Sequence, residues 1–240
     1  MKMSVWRDVI SSLEEIVSLY DEVNEVISLG RASKARTYAA QRVMENHPKL
    51  VLDSGAGPGS MTRILLKLDP QAEVVGLDFS SQLQRACKER VKDYRDRVHF
   101  VRARFEQLPF KSGSFDAIVT AYALRDSTDI KQTIAEYARS IKNEGQLAIV
   151  EMGKPDNRVK RFFAMIYVRF VMPLIAKIVI SGRLEDNPFR MIIPTYQNLP
   201  TTLSILRMLE AARFNLQEKK QFLAGGMVVL MLRAQNSLKA

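Results

Sequence analysis

The chain has a single cysteine, Cys87, and only two histidines, His47 and His99. One cysteine excludes a disulfide within the chain and fits a reducing compartment. Two isolated histidines without cysteine neighbours do not make a zinc-ligand spacing, so no metal is expected. No segment repeats with a period of 20–50 residues and none is of low complexity, which excludes solenoids and repeat arrays. Met1 to Ser11 lacks an apolar core of signal-peptide length. A spanning helix needs ~20 predominantly apolar residues. The most apolar stretch, Arg158 to Arg183, is interrupted by Arg169, Pro173 and Lys177. Acids are scarce against bases, and the formal net charge is +10. That balance points to an anionic partner, either nucleic acid or an acidic membrane surface, or serves solubility alone. The expected location is cytoplasmic, with a peripheral place at the inner face of the cell membrane as a further candidate.

What is present is organised around Leu50-Val51-Leu52-Asp53-Ser54-Gly55-Ala56-Gly57-Pro58-Gly59. Three apolar residues run into an acid and three alternating glycines, and a helical segment, Ser60 to Leu68, follows. Strand, glycine loop and helix form a nucleotide-cofactor cradle. Glycine tolerates φ > 0 and lets a ligand approach the main chain, and the helix aims its first N–H groups at the loop. A dinucleotide loop wants G-x-G-x-x-G, whereas the spacing here is G-x-G-x-G with Ser60 at the third-glycine position. An acid at Asp53 would repel a pyrophosphate but suits a cationic ligand such as S-adenosylmethionine. Glu73 to Asp78 reads as the next strand, and Asp78 lies 19 residues beyond Gly59, where an acid chelates ribose hydroxyls. The plain alternative is a tight glycine turn with Asp78 flanking a helix.

Around this stretch, strands are predicted at Lys49–Asp53, Glu73–Asp78, Val98–Arg102, Phe115–Ala121 and Gln146–Glu151. Helices are predicted at Ser60–Leu68, Ser80–Val91 and Asp129–Lys142, with Asn143-Glu144-Gly145 as a turn. The alternation demands a parallel sheet with right-handed crossovers. Before the core, Val5, Val9, Leu13, Ile16, Val17 and Tyr20 predict one helix over Val5–Val26, and Arg31–Asn46 predicts a second that Pro48 ends. After it come a long helix-like stretch, Arg158–Arg183, and an irregular link, Leu184–Pro200. A helix over Thr201–Arg213 and a strand pair, Asn215–Phe222 and Met227–Arg233, joined through Gly225-Gly226, complete the chain. The fold class is α/β: a Rossmann-like seven-stranded sheet, mostly parallel, with an antiparallel terminal pair and helices on both faces.

Several segments match one family in order. Tyr20-Asp21-Glu22-Val23-Asn24 with Ser28-Leu29-Gly30 resembles its Y-D-x-x-N … S-x-G entry. Phe105-Glu106-Gln107-Leu108-Pro109-Phe110 resembles A-E-x-L-P-F, and Ser114-Phe115-Asp116 opens the next strand. Ala123-Leu124-Arg125-Asp126-Ser127-Thr128-Asp129 resembles G-L-R-N-x-x-D, and Glu151-Met152-Gly153-Lys154-Pro155 resembles E-F-S-K-P. Pro188-Phe189-Arg190 and Gly225-Gly226-Met227-Val228-Val229 follow. The chain thus resembles the ubiquinone/menaquinone biosynthesis C-methyltransferases (UbiE type) over nearly its whole length.

The resemblance implies one methyltransferase domain over 1–240. It has a helical cover (1–47), a cofactor core (48–156), a substrate lid or membrane-facing insertion (157–200) and a terminal helix and strand pair (201–240). It implies S-adenosylmethionine as cofactor, held by Asp53, Gly55, Ala56, Gly57, Gly59, Asp78, Phe79, Arg104, Phe105 and Thr120. It implies catalysis by Arg125, which orients a water or a phenolate, with Asp126 and Tyr20 beside it, on a prenylated quinol in respiratory quinone biosynthesis. There are departures. Arg104 replaces the Asp or Asn expected to accept from adenine's amino group, and Arg has no acceptor. Asp126 replaces Asn, which makes it a candidate direct base, and Ala123 replaces Gly. Arg125 could instead pair with Asp129, and Tyr20 could be a core aromatic. Another small phenol, amine or lipid acceptor is the alternative substrate.

Arg158 to Arg183 carries six bases and no acid between its aliphatic runs. It reads as a lid over an apolar tunnel, as a surface helix on anionic lipid, or as a buried helix. A small apolar aromatic substrate is the expected partner, with an anionic membrane surface and a homodimer as further candidates. Nucleic acid is disfavoured, because no stacked-aromatic module or basic repeat is present.

Overall fold

The structure is a computed structural model and describes residues 3–15, 17, 19–180 and 192–235. Its centre is a seven-stranded sheet: β1 (Leu50–Ser54), β2 (Glu73–Asp78), β3 (Val98–Arg102), β4 (Phe115–Ala121), β5 (Ile141–Met152), β6 (Phe214–Phe222) and β7 (Met227–Ala234). The order is β3-β2-β1-β4-β5-β7-β6. The first five strands run parallel, and β7 inserts antiparallel between β5 and β6. Both faces are buried, so the central strands alternate between two cores. Leu52, Ile118, Leu147 and Ile149 face one, and Val51, Val119, Ala148 and Val150 face the other. Strands covered on both sides read as continuous apolar runs, which is why β1 and β4 stand out in the sequence. The order reverses between β1 and β4, and ligands settle beyond the carboxyl ends of strands at such a switch point.

The helices are α1 (Met3–Glu15), α2 (Tyr20–Ile27), α3 (Ala32–Met44), α4 (Ser60–Leu68), α5 (Ser81–Arg90), α6 (Ile130–Ser140), α7 (Arg158–Ile166), α8 (Met172–Ile180), α9 (Ile192–Asn198) and α10 (Thr202–Ala211). Caps set several starts. Ser80 Oγ accepts from Leu83 N–H, and Asp129 Oδ1 accepts from Gln132 N–H.

Four expectations need correction. The single helix predicted over Val5–Val26 is two, α1 and α2, and Ile16 lies outside the described residues. The acids Asp21 and Glu22 occupy the first turn of α2, where the helix dipole favours them, and mark a start that apolar spacing alone hides. Asn143-Glu144-Gly145 is not a turn before a strand at Gln146. The strand begins at Ile141, paired with Phe115, and kinks through Glu144 at φ 59 before pairing resumes at Gln146 with Ala117. Within the link predicted as irregular, Ile192–Asn198 is helical, and Pro194 sits in its first turn, where a missing N–H costs nothing. The stretch from Arg158 is α7, a π-helical turn at Tyr167–Val171, and α8. Pro173 cannot donate back into the preceding turn, and the helix widens just before it. Arg183 and the Pro188-Phe189-Arg190 match lie outside the described residues.

Candidate active site

The glycine loop leaves β1 at the switch point and enters α4. Gly55, Gly57 and Gly59 all have positive φ (80°, 54° and 88°). A Cβ on Gly55 would lie 2.3 Å from the Ala123 Cβ. A Cβ on Gly59 would lie 2.7 Å from the Cys87 Sγ. Those two glycines are required by close packing, whereas Gly57 faces open space, as a cradle for a ligand should. The Gly57 N–H instead donates to Asp78 Oδ2 (2.8 Å), and the Ser80 N–H donates to Asp78 Oδ1 (2.9 Å). Burial raises the Asp78 carboxyl, and these backbone bonds offset only part of that rise. Each oxygen keeps a lone pair for a diol. Asp53 is wholly buried behind the loop. Its Oδ2 accepts from Thr62 Oγ1 (2.5 Å), its Oδ1 has no hydrogen-bond partner among the described residues, and burial raises its carboxyl to about 6.

A cleft opens over the loop between Gly55, Gly57, Asp78, Phe79, Arg104 and Phe105 on one side and Tyr20, Tyr122 and Asp126 on the other. Ile10 and Leu13 of α1 close it from above. The Gln82 side chain donates to the Glu14 carbonyl (2.8 Å), and Ser80 Oγ donates to the Glu14 carboxylate, which ties α1 down. The enclosed space is about 50 Å³, against ~300–1,000 Å³ for an ordinary ligand pocket. The residues beneath fit an adenosine-bearing cofactor: a main-chain cradle, an acid for ribose hydroxyls, two phenyl rings for a base, and no phosphate-binding cation on the loop.

Arg104 reaches the cleft, but its guanidinium is committed. It donates to Glu106 Oε2 (3.2 Å) and to Thr128 Oγ1 (2.5 Å). Burial alone would raise the Glu106 carboxyl, but hydrogen bonds from the Thr128 hydroxyl, the backbone and Arg104 hold it at about 2.

Arg125 and Asp126 lie in a short 3₁₀ turn, Leu124–Asp126, just past β4. Both are buried. Arg125 does not pair with Asp129, which caps α6. Its Nη1 donates to Glu151 Oε1 (2.8 Å), and its backbone N–H donates to Glu151 Oε2 (3.1 Å). Its Nε is buried with no hydrogen-bond partner among the described residues, 3.8 Å from Asp126 Oδ1. Burial raises the Asp126 carboxyl to about 7, against the pull of Arg125. Burial likewise raises the Tyr20 hydroxyl, so that tyrosine is a neutral donor at physiological pH.

A second, larger space of about 520 Å³ adjoins the cleft. Its lining comes from α2, α3, α7, α8, α9 and the turn before β7, and is apolar apart from the cations Arg125 and Lys160 and a few hydroxyl and amide groups. Tyr122 lines both spaces, Asp126 the cleft and Arg125 the cavity, so the partition between them is the segment Tyr122–Asp126.

The structure thus brings Gly55, Gly57, Asp78, Phe79, Arg104, Phe105, Tyr20 and Asp126 to one cleft, and sets Arg125 on its far wall. Asp53, Ala56, Gly59 and Thr120 are buried near the loop or sheet and do not line the cleft. Sequence reasoning missed Glu151 and Tyr122. Glu151 lies in the E-x-x-K-P-like segment, and that segment's Lys154 caps α9, with Nζ donating to the Gln197 (2.9 Å) and Leu199 (2.7 Å) carbonyls. One motif therefore anchors both the arginine and the cavity's rear helix. Among the described residues no group of His, Cys, Asp and Glu could hold a metal ion.

Residues 2–233 match the model of the ubiE/COQ5 methyltransferase family. The chain is 29% identical to the demethylmenaquinone methyltransferase of Thermotoga maritima over 212 residues, 87% of this chain and 89% of that one. It is 26% identical to the ubiquinone/menaquinone biosynthesis C-methyltransferase UbiE of Syntrophotalea carbinolica, with 90% of each chain covered. A crystal structure of a SAM-dependent methyltransferase from Thermotoga maritima superposes with a TM-score of 0.61 at 16% identity, over 96% of this chain and all of that one, and shows the same fold. The match of nearly the whole chain, on a sheet whose glycine loop, ribose acid and aromatic walls suit S-adenosylmethionine, makes this enzyme a member of the ubiE/COQ5 methyltransferase family.

Proposed function

We propose that the enzyme transfers a methyl group to a ring carbon of a prenylated quinol in respiratory quinone biosynthesis. The observation that carries this is the apolar cavity, which meets the cofactor cleft only across Tyr122–Asp126. S-adenosylmethionine supplies an electrophilic methyl group in the cleft. The cavity has room for a bicyclic ring and the start of a prenyl tail. The Arg125 side chain, on the cavity wall and held there by Glu151, brings positive charge to that ring and stabilises the phenolate that makes the ring carbon nucleophilic. Asp126 takes the hydroxyl proton, directly or through one water, and the hydrogen on the newly methylated carbon then leaves as a proton as the ring regains its aromaticity. Tyr20 donates at the same junction. The names of the relatives favour a demethylated naphthoquinol as acceptor.

The test is to supply methyl-labelled cofactor with reduced demethylmenaquinone bearing a short tail, and separately with small phenols and amines. Label on the naphthoquinol ring carbon is expected. Label on the phenols or amines alone, with none on the quinol, refutes the reading.

The lid supports a place at the membrane. Val159, Phe162, Phe163, Phe170, Leu174 and Ile178 are each more than half exposed on α7, the π-helical turn and α8. Arg158, Lys160, Arg161, Arg169 and Lys177 accompany them, and no acid occurs from 158 to 180. Among the described residues no helix is long and apolar enough to cross a membrane. A basic, apolar face of this kind rests in the interface of an anionic bilayer. Phe163, Leu29 and Leu223 are at once exposed and part of the cavity lining, so the cavity mouth opens beside this face. A tail longer than the cavity leaves there, into the lipid. Co-sedimentation with phosphatidylglycerol vesicles, reversed by high salt and lost in Phe162→Glu/Phe170→Glu, is the expected result. Dimerisation through this face, with no vesicle binding, would assign it to a second copy of the chain.

A further inference from the structure

Tyr122 stands one residue past β4 and lines both the cofactor cleft and the apolar cavity. Its backbone is left-handed, with φ 62°, a conformation that bulky residues rarely take and that clusters at functional sites. In a strand successive side chains point to opposite faces, yet Val119, Ala121 and Tyr122 all join the same core. The positive φ keeps the Tyr122 ring on that side, where its hydroxyl reaches Ala32 and Met227, two further residues of the cavity lining. Two other described tyrosines line the cavity, and each donates to a main-chain carbonyl: Tyr167 to Ile27 (2.8 Å) and Tyr196 to Gly153 (3.2 Å). In the same wall Asn24 Nδ2 donates to the Tyr20 carbonyl (2.6 Å) and Ser28 Oγ to the Glu25 carbonyl (3.1 Å). The Tyr122 hydroxyl is matched less well. It faces Met227 Sδ at 3.0 Å and the Ala32 carbonyl at 3.4 Å. A thioether is a weak acceptor, and the carbonyl lies beyond the ordinary range for a hydroxyl donor. Burial raises the hydroxyl's pKa, so it stays a neutral donor. A buried donor on such partners exchanges them at little cost when a better oxygen arrives.

We infer that the Tyr122 hydroxyl donates to the second oxygen of the acceptor ring, the one that keeps its proton while the other becomes phenolate. This rests on the quinol reading of the cavity. Arg125 and Tyr122 enter the cavity from the same partition. The charge of Arg125 serves the oxygen beside the reacting carbon, and Tyr122 takes the oxygen across the ring. A ring held at both oxygens presents one edge to the cleft, and a ring with one oxygen is held at one point and is free to turn. Tyr122 is therefore a specificity residue: it selects para-dioxygenated acceptors over simple phenols, because a site built to bond an oxygen disfavours the analogue that lacks it.

The test compares the full chain with Tyr122→Phe, which removes one oxygen and keeps the ring. Two acceptors are used under anaerobic conditions with methyl-labelled cofactor: a short-tailed 1,4-naphthalenediol, and the matching 1-naphthol that keeps the hydroxyl beside the reacting carbon and lacks the one beside the tail. Tyr122→Phe is expected to lower kcat/KM for the diol by ~10-fold, mainly through KM. It should leave the naphthol, and S-adenosylhomocysteine affinity by calorimetry, within about twofold. The difference between the two acceptors isolates the one contact, because any general loosening of the site acts on both. Equal loss on both acceptors would show a structural role and overturn the inference. So would a diol that is unaffected, since the hydroxyl then meets no ring oxygen. If wild type methylates neither acceptor, the quinol reading itself falls and takes this inference with it, an outcome distinct from the other two.

Discussion

Asp126→Asn is expected to lower turnover by ~10²–10⁴-fold while leaving S-adenosylhomocysteine affinity within about twofold. The carboxylate is buried, accepts no hydrogen bond among the described residues, and sits 3.8 Å from the Arg125 Nε. Burial raises it to about 7, the value at which a group can both accept a proton and release it near neutrality. Wild-type turnover should therefore rise with pH between about 6 and 8, as the base form appears, and the variant's profile should lose that limb. The sign for stability is opposite. A carboxyl whose pKa is higher in the folded state than in the unfolded one makes the fold less stable as pH climbs from about 4 to about 7. Asp126→Asn removes this penalty, so its thermal stability at pH 8 should match or exceed that of wild type. A variant that is less stable and equally active at all pH values would show Asp126 to be a packing residue.

Glu151→Ala should have the largest effect on stability. Glu151 is 1% exposed and accepts from the Arg125 side chain, the Arg125 N–H and the Met152 N–H. Its removal strands a buried guanidinium, a loss of ~3–5 kcal/mol, which for a chain of this size lowers Tm by about 10 °C. The double variant Arg125→Met/Glu151→Ala removes both charges and should regain most of that loss in a thermal melt, yet remain inactive. If the single variant melts like wild type, the ion pair does not set the turn's position.

Those two predictions rest on different kinds of information. Asp126 was singled out by the resemblance of seven contiguous residues to a family segment, whereas the glycine loop and Asp78 were legible because local chain geometry dictates local residue type. Glu151 was not. Its function depends on β4 and β5 lying side by side, which places its carboxylate under a turn 26 residues earlier in the chain. An apolar space beneath Arg158–Arg183 was among the expectations, but not the residues that wall it, since the lining is gathered from helices distant in sequence. The split between α1 and α2 and the kink at Glu144 were missed because apolar spacing reports which face is buried, not whether the backbone between two turns is continuous.

The π-helical turn at Tyr167–Val171 bears on how relatives of this enzyme should be compared. A wide turn accommodates one residue more than a regular helix of the same rise, and each residue of a regular helix turns the chain by about 100°. Val168 and Met172 line the cavity while Phe170 and Leu174 point outward, and that division holds only with the extra residue in place. A relative one residue shorter here is then correctly aligned with its gap inside the lid helix, not in a neighbouring loop. If the gap is moved outward, every downstream position is read a quarter-turn out of phase, and outward-facing side chains are mistaken for those that line the cavity.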